Sequence, residues 1–270
     1  MSKIALITGC NQGLGYELVK TLIEKAPEFT TIIMTARNKE KGEKALQALN
    51  DKTKLDFHVL DVTSIDSINE IKEYVLKKYG KLDVLVNNAG ILIRSPENIH
   101  NHIHPTLETN FYGAKNMTEA FLPLLEPNGH VVQVSSGFGK TKFLNNPTLS
   151  SRLLNPDLTL DELISIAEDF RGAGPDWVQK GWTLEGYGVY SVTKVLLNSY
   201  TRILARNLVM SGSKIRVNCL CPGWVRTNMG GQAAPLSLQQ GVGNIMPVVR
   251  DNSDVTGKFW TDGSRHEDFS

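Results

Sequence analysis

The sequence predicts a doubly wound α/β fold, in which a parallel sheet is covered by helices on both faces. Two observations lead to this prediction. Apolar runs rich in Val, Ile and Leu alternate with amphipathic helical segments along residues 3–135, and a glycine-rich turn follows the first of these runs. A chain of 270 residues can form one large domain, and its composition indicates no disordered or fibrous part, so one domain spanning 1–270 is predicted.

Five strands are predicted in the first half of the chain, several of them continuous apolar runs, as expected when both faces of a strand are covered. They span 3–8, 31–36, 56–60, 82–87 and 130–135. Between them, apolar side chains recur at helical spacing over 14–23 and 65–76, the second segment beginning near Ser64. Strand, helix and strand at this spacing indicate right-handed crossovers.

The alternation stops after Ser136. The stretch 140–186 contains several prolines and glycines and one helical segment at 160–170, with Leu163, Ile164, Ala167 and Phe170 on one face. We interpret this stretch as a helical insertion within the domain. A helix over 189–210, a strand over 215–220 and a last strand over 258–261 then complete the sheet.

Charge and composition argue against several classes of partner. Lys and Arg number 29 against 28 Asp and Glu, a net charge of +1, which favours neither nucleic acid nor an anionic membrane. The first apolar run reaches Gly9 before attaining signal-peptide length, and no run approaches the roughly 18 residues of a membrane span. A cytoplasmic protein with a small-molecule partner is expected.

The cysteines and histidines offer two weak metal-site patterns. Three cysteines, Cys10, Cys219 and Cys221, favour reduced thiols over a disulfide framework. Cys219 and Cys221 could in principle bind a metal or be redox-active, although half-buried thiols on a strand are the favoured interpretation. The segment containing His100, His102 and His104 alternates as a metal-binding strand does, but with only Glu108 at ligand spacing we interpret it as a polar loop and predict no metal.

The glycine-rich turn lies where a Rossmann-type fold binds a pyrophosphate, between the first strand and the first helix. Glycines let the backbone approach the phosphates, and the helix N-terminus directs N–H groups at their charge. The residues assigned to this site are Gly9, Asn11, Gln12, Gly13, Leu14 and Gly15.

Arg37, after the second predicted strand, favours NADP over NAD. A site for NAD often presents a carboxylate there, whereas guanidinium can bind the 2′-phosphate through two hydrogen bonds. The alternative is that Arg37 only begins a solvated helix beside Lys39 and Lys41.

Tyr190 and Lys194 are the predicted chemical centre. Residues four apart share a helix face, so the Lys194 ammonium can lower the pKa of the Tyr190 hydroxyl from its ordinary value near ~10. The hydroxyl then becomes a usable proton donor near neutral pH. Tyr187 is the competing tyrosine, but Ser191 rather than a lysine follows it at this spacing.

The order of several motifs resembles the short-chain dehydrogenase/reductase family over nearly the whole chain. The motifs are Thr8-Gly9-x-x-x-Gly13-x-Gly15, Leu60-Asp61-Val62, Asn87-Asn88-Ala89-Gly90, Asn110, Val134-Ser135-Ser136, Tyr190-x-x-x-Lys194 and Cys221-Pro222-Gly223. The insertion and the run Asn218–Met229 most resemble the monomeric carbonyl reductases. In many NADP-preferring relatives a basic residue precedes the second glycine of the turn, and Gln12 stands there in this chain.

The resemblance implies a catalytic tetrad of Asn110, Ser136, Tyr190 and Lys194. Tyr190 supplies a proton to the carbonyl oxygen, Ser136 stabilises the charge on it, and Lys194 also holds the nicotinamide ribose. Asn110 orders a water that returns a proton to the tyrosine. Further cofactor contacts are implied at Asp61, Val62, Asn88, Ala89, Gly90, Pro222, Gly223, Val225 and Thr227, each of which could instead be an ordinary strand-end residue.

The implied reaction is transfer of hydride from NADPH to an aldehyde, ketone or quinone. The substrate site is assigned to Ser136, Phe138, Tyr190, Trp224 and Met229, although Phe138, Trp224 and Met229 could equally be packing residues. A monomer is expected, since the insertion precedes the helix that forms the subunit interface in most of the family. An oxidative alcohol or steroid dehydrogenase and a non-catalytic nucleotide sensor remain alternatives.

Overall fold

One eight-stranded sheet forms the centre of the computed structural model, which describes residues 3–51, 53–94, 99–182, 188–267 and 269–270. In chain order the strands are β1 (Lys3–Ile7), β2 (Phe29–Ala36), β3 (Leu55–Val59), β4 (Leu82–Asn87), β5 (Leu125–Val134), β6 (Arg216–Leu220), β7 (Phe259–Thr261) and β8 (Arg265–Glu267). Their spatial order is β3-β2-β1-β4-β5-β6-β7-β8, with parallel pairing except between β7 and β8. The predicted doubly wound α/β sheet is confirmed.

The helices lie between the strands. They are α1 (Gly13–Lys25), α2 (Lys39–Leu49), α3 (Ile65–Tyr79), α4 (Ile103–Leu107), α5 (Ala114–Phe121), α6 (Pro147–Leu154), α7 (Leu160–Arg171), α8 (Val189–Met210) and α9 (Leu238–Arg250). A π-helical segment, Glu108–Gly113, joins α4 to α5, and short 3-10 turns span Ile99–His102, Leu122–Leu124, Gly137–Gly139, Thr141–Phe143 and Gly174–Asp176.

Side-chain caps determine where several helices begin. Ser64 Oγ accepts a hydrogen bond from the Ser67 N–H at the start of α3, as the sequence predicts. Reciprocal side-chain-to-backbone bonds between Thr159 and Glu162 begin α7. Each cap provides partners for N–H groups that the first helical turn leaves without one.

The continuous apolar strands are explained by burial on both faces of the sheet. Along β1, Ala5 and Ile7 belong to a core packed against α1 and α9, whereas Ile4 and Leu6 belong to a core packed against α3 and α5. Successive side chains of a strand point to opposite faces, so neither face of β1 can be polar.

The insertion has its own core against α8. Leu163, Ala167 and Phe170 of α7 are buried there, as predicted. Ile166 is buried as well, whereas Ile164 is only half-buried, so the buried face of α7 is rotated slightly from the predicted one. The insertion is therefore packed against the helix that carries Tyr190.

Two strands and the histidine segment differ from the sequence prediction. Strand β5 begins at Leu125 rather than near residue 130, and β8 was not predicted because three polar-rich residues carry no periodic signal. His100 and His102 lie in a 3-10 turn and His104 in α4, so this segment is helical rather than a loop. Residues two apart on a helix point in different directions, which removes the strand-like alternation.

Candidate active site

A cleft of about 670 Å³ lies at the carboxyl ends of the parallel strands. The order of strands reverses between β1 and β4, and ligands bind doubly wound folds at such a position. The predicted cofactor residues that line the cleft are Gly9, Asn11, Gln12, Gly13, Leu14, Gly15, Arg37, Asp61, Val62, Asn88, Ala89, Gly90, Tyr190, Lys194, Pro222 and Thr227. Gly223 and Val225 are not on its wall, and Val225 is 4% exposed.

The glycines of the turn are required by conformation and by space. Gly9 and Gly13 have φ values of +72° and +62°, in the left-handed region that favours glycine. A Cβ at Gly15 would lie 2.4 Å from the Gly9 carbonyl oxygen and 2.5 Å from Asn88 Nδ2. The turn therefore needs glycine at these positions, and its backbone lines the cleft, where it can approach a pyrophosphate.

Gly15→Ala is expected to weaken NADPH binding about tenfold or more, because the methyl group forces the Gly9 backbone out of place. Titration of protein fluorescence with NADPH measures the dissociation constant. Gly243→Ala is the matched control, since a Cβ there meets nothing within 4 Å. A dissociation constant of Gly15→Ala within twofold of wild type contradicts this assignment.

Asn88 holds the turn in place. Its Nδ2 donates to the Thr8 oxygen at 2.8 Å and to the Gly9 oxygen at 3.2 Å. The Thr8 hydroxyl oxygen accepts hydrogen bonds from the N–H groups of Asn88 and Ala89, each at 2.9 Å. The end of β4 is thus tied to the turn after β1, and the predicted contact of Asn88 with the cofactor stays a prediction.

Two basic side chains line the cleft where β2 ends and α2 begins. Arg37 follows β2 and is exposed, and Lys41 in the first turn of α2 also lines the cleft. Asn38 begins this helix by accepting a hydrogen bond from the Lys41 N–H at 2.9 Å. Lys41 is not among the cofactor residues predicted from the sequence, and the only available signal for it was its nearness to Arg37 along the chain.

Tyr190 and Lys194 lie on the first turns of α8 and both line the cleft. Lys194 Nζ is 5.7 Å from the centroid of the Tyr190 ring and donates to the Val134 oxygen at 2.8 Å. Lys194 is 4% exposed, and this burial lowers the pKa of its ammonium to about 8. The predicted lysine is therefore beside the tyrosine. Tyr187 falls outside the described residues.

Asn110 lies within the π-helical segment, a type of distortion often found at functional sites. Its Oδ1 accepts from the Ile91 N–H at 2.8 Å, and its Nδ2 donates to the Ile91 oxygen at 2.9 Å and to Thr193 Oγ1 at 3.2 Å. A Cβ at Gly90 would lie 3.3 Å from Asn110 Oδ1 and 3.8 Å from Lys194 Nζ. Asn110 is thus held close to the lysine, beside the cleft lining.

Ser136 follows β5, and its Oγ accepts from the Phe138 N–H at 3.2 Å. The hydroxyl hydrogen therefore remains available to a ligand. Asn198 ties this segment to α8, because its Oδ1 accepts from Ser135 Oγ at 2.6 Å and its Nδ2 donates to the Gly139 oxygen at 2.9 Å. Asn198 was not identified from the sequence, although it lies four residues after Lys194 on the same helix face.

The predicted substrate residues are arranged unevenly. Met229 lines the cleft, whereas Phe138 packs beside Phe143 with ring centroids 5.1 Å apart. Trp224 is 49% exposed and its indole N–H donates to the Gly230 oxygen at 2.8 Å. Ser136, Phe138 and Trp224 are not part of the lining of the cleft, so their contact with substrate stays a prediction.

The cysteines are free thiols in the described structure. Burial raises the pKa of Cys10 to about 12, and the Cys10 thiol donates to the Ile7 oxygen at 3.0 Å. Cys221 Sγ accepts from the Gly137 N–H at 3.1 Å, which links the segments after β5 and β6. Among the described residues, no three His, Cys, Asp or Glu side chains come together as metal ligands do.

None of the helices in the described ranges has the length and apolar character needed to cross a bilayer.

A glycine-floored cleft at the switch point of a doubly wound sheet, with a tyrosine and a buried lysine on one helix beside it, is typical of a Rossmann-type dinucleotide-dependent enzyme. The family model described as "short chain dehydrogenase" matches residues 3–151, and one described as "Enoyl-(Acyl carrier protein) reductase" matches 178–252. The chain belongs to the short-chain dehydrogenase family, which confirms the resemblance seen in its motifs.

Three known proteins are similar to this chain over nearly its whole length. The chain is 36% identical to carbonyl reductase (NADPH) 1 of Sus scrofa, over 97% of this chain and 92% of the relative. Salutaridine reductase from Papaver somniferum superposes with a TM-score of 0.85 at 27% identity, covering 96% of this chain and 99% of that one. Carbonyl reductase Sniffer of D. melanogaster gives a TM-score of 0.73 at 25% identity, covering 97% and 98%.

Proposed function

We propose that this protein is an NADPH-dependent carbonyl reductase that converts aldehydes, ketones or quinones to alcohols or hydroquinones. The observation that carries the proposal is the placement of Tyr190 and the buried Lys194 on the wall of the same cleft as the glycine turn. Extensive similarity to carbonyl reductase (NADPH) 1 supports the same reaction class.

The residues of the cleft fit NADPH. Gly9, Gly13 and Gly15 line the cleft, so a pyrophosphate there meets backbone rather than side chains. Arg37 and Lys41, which lie after β2 and in the first turn of α2, supply positive charge for a 2′-phosphate. When bound, NADPH supplies the hydride.

The side chains of the tetrad handle the proton and the charge on the carbonyl oxygen. As the carbonyl carbon gains hydride, its oxygen accepts a hydrogen bond from Ser136 Oγ and takes a proton from the Tyr190 hydroxyl. Lys194 stabilises the resulting phenolate through its positive charge. A proton then returns to Tyr190 from solvent past Lys194 and Asn110, and the net result is addition of one hydride and one proton to the carbonyl group.

Initial rates test the proposal directly. Oxidation of NADPH and of NADH, followed at 340 nm with menadione and with an aromatic aldehyde, is expected to show turnover that is faster with NADPH. Tight NADPH binding without turnover of either substrate contradicts carbonyl reduction and favours a nucleotide sensor. Faster turnover with NAD and an alcohol identifies an oxidative dehydrogenase.

We further propose that the chain acts as a monomeric cytoplasmic enzyme and that residues 1–270 act as one unit. Arg202 of α8 donates to the carbonyl oxygens of Leu153 and Leu154 at 2.9 and 3.0 Å, and Arg206 donates to those of Pro156 and Leu158. The last carbonyls of a helix lack partners within it, so the arginines bind the end of α6 and the following turn. The insertion is thereby held against α8, the helix that forms the subunit interface in most of the family, and this supports the monomer proposal.

Light scattering after size exclusion is expected to give the monomer mass of 29.9 kDa for the wild type. The double variant Arg202→Ala/Arg206→Ala is expected to lose about 2 kcal/mol or more of stability, because several buried or half-buried carbonyls lose their donors. Arg152→Ala removes an exposed arginine of the same insertion and serves as the control. A dimer mass for the wild type contradicts the monomer proposal.

A further inference from the structure

Two segments that follow the strands on either side of β5 line the substrate end of the cleft. One follows β4 and contributes Gly90 and Ile91, and the other follows β6 and contributes Asn228 and Met229. A cleft between two such segments has a width that depends on what holds them together.

Arg94 connects them. Its guanidinium Nη2 donates to the Met229 oxygen at 2.6 Å and to the Gly230 oxygen at 3.3 Å, across 135 and 136 residues of chain respectively. The donor is charged, and hydrogen bonds from charged donors are stronger than those from neutral ones. The contact thus joins the wall after β4 to the wall after β6.

The turn held by Arg94 maintains its shape by other contacts. Thr227 Oγ1 accepts from the Gly230 N–H at 2.8 Å, and the Thr227 oxygen accepts from the Gly231 N–H at 2.8 Å. Gly231 has a φ of +79°, and a Cβ at Gly230 would lie 1.8 Å from the Val225 oxygen. The turn is therefore a defined unit, and the Arg94 contact determines where that unit lies relative to the opposite wall.

A second contact fixes the same segment on its cofactor side. Asn228 Nδ2 donates to Gln12 Oε1 at 3.2 Å, which connects the segment to the glycine turn. A Cβ at Gly13 would lie 3.8 Å from the Thr227 methyl group, so these two parts of the cleft wall are close together. Loss of Arg94 therefore removes the link between the Met229 side of the turn and the segment after β4, whereas the Gly230 oxygen keeps its bond from Trp224 Nε1 and the cofactor side keeps its anchor.

We propose that Arg94 is a positioning residue that holds Met229 against the substrate and sets the width of the substrate cleft. Its acceptors in this turn are backbone carbonyls, so it acts on Met229 through the placement of the turn. This inference rests on the proposed carbonyl reduction. It predicts that Arg94 affects substrate affinity and selectivity for substrate size, with little effect on the bound nucleotide.

Steady-state kinetics of Arg94→Ala with menadione test the inference. The KM is expected to rise about 5- to 10-fold, with kcat and the NADPH dissociation constant each within about twofold of wild type, because a misplaced wall weakens substrate positioning. Arg94→Lys retains a charged donor and is expected to recover most of the lost affinity. Arg250→Ala, which removes an exposed arginine bound to Glu28 far along α9, is the matched control.

Amide hydrogen exchange provides a readout that does not require turnover. Exchange of a peptide covering 226–234 is expected to be faster in Arg94→Ala than in wild type or Arg250→Ala, with unchanged exchange in β1 and α1. Equal exchange and an equal KM in Arg94→Ala and wild type overturn the inference. An inactive wild type with faster exchange in Arg94→Ala instead overturns the proposed function and leaves the Arg94 contact established.

Discussion

Replacing Tyr190 with phenylalanine is expected to lower kcat by about 10³-fold, because it removes the proton donor to the carbonyl oxygen. The ring itself is retained, so Tyr190→Phe should bind NADPH as tightly as wild type. Initial rates at 340 nm, together with a fluorescence titration of NADPH, separate loss of chemistry from loss of binding.

Tyr187→Phe is the matched control for this substitution. Ser191 rather than a lysine lies four residues after Tyr187, so this variant is expected to keep most of the activity. A Tyr190→Phe enzyme that retains more than about a tenth of wild-type kcat contradicts the role of Tyr190 as proton donor, because general acid catalysis contributes far more than this.

Arg37→Asp is expected to reverse the preference between the two nucleotides. The substitution removes a guanidinium that can bind the 2′-phosphate and places a carboxylate where it repels that group, so kcat/KM with NADPH should fall about 10²-fold. The carboxylate can accept a hydrogen bond from the ribose 2′-hydroxyl of NADH, so kcat/KM with NADH should be retained or rise.

Lys39→Asp makes the same change in charge two residues away. Lys39 does not line the cleft, and its ammonium lies 3.9 Å from Glu43 on the exposed side of α2. Its effect on either nucleotide is therefore expected to stay within about threefold, as for an exposed charge screened by salt. Equal losses of NADPH activity in Lys39→Asp and Arg37→Asp show a general effect of charge and contradict the specific contact.

Burial on both faces explains why most of the sheet could be predicted. Residues 4–7 of β1 and 84–86 of β4 are all apolar and buried because helices cover both sides of the sheet, and such a run is recognisable without knowledge of its neighbours. The edge strand β8 lacks this signal, since it is three residues long. Helix α9 was not predicted because Gly241, Gly243 and Pro247 weaken its pattern, although the capping box between Ser237 and Gln240 marks its beginning.

In the site, too, contacts within one helix could be predicted from the sequence, whereas contacts between distant segments could not. Tyr190 and Lys194 share one helix, so their proximity follows from local spacing, and the structure places them 5.7 Å apart from ring centroid to Nζ. The contact of Arg94 with Met229 joins segments 135 residues apart. Such contacts depend on which segments meet at the carboxyl edge of the sheet, and a single sequence carries no local signal for them.

The transfer of hydride itself is the most direct test of carbonyl reduction by this protein. Wild-type enzyme is incubated with an aromatic aldehyde and NADPH that carries deuterium at both C4 positions of the nicotinamide, and the alcohol formed is examined by mass spectrometry. The proposed function predicts one deuterium atom on the carbinol carbon of each product molecule. Absence of alcohol, or alcohol without deuterium on that carbon, contradicts it.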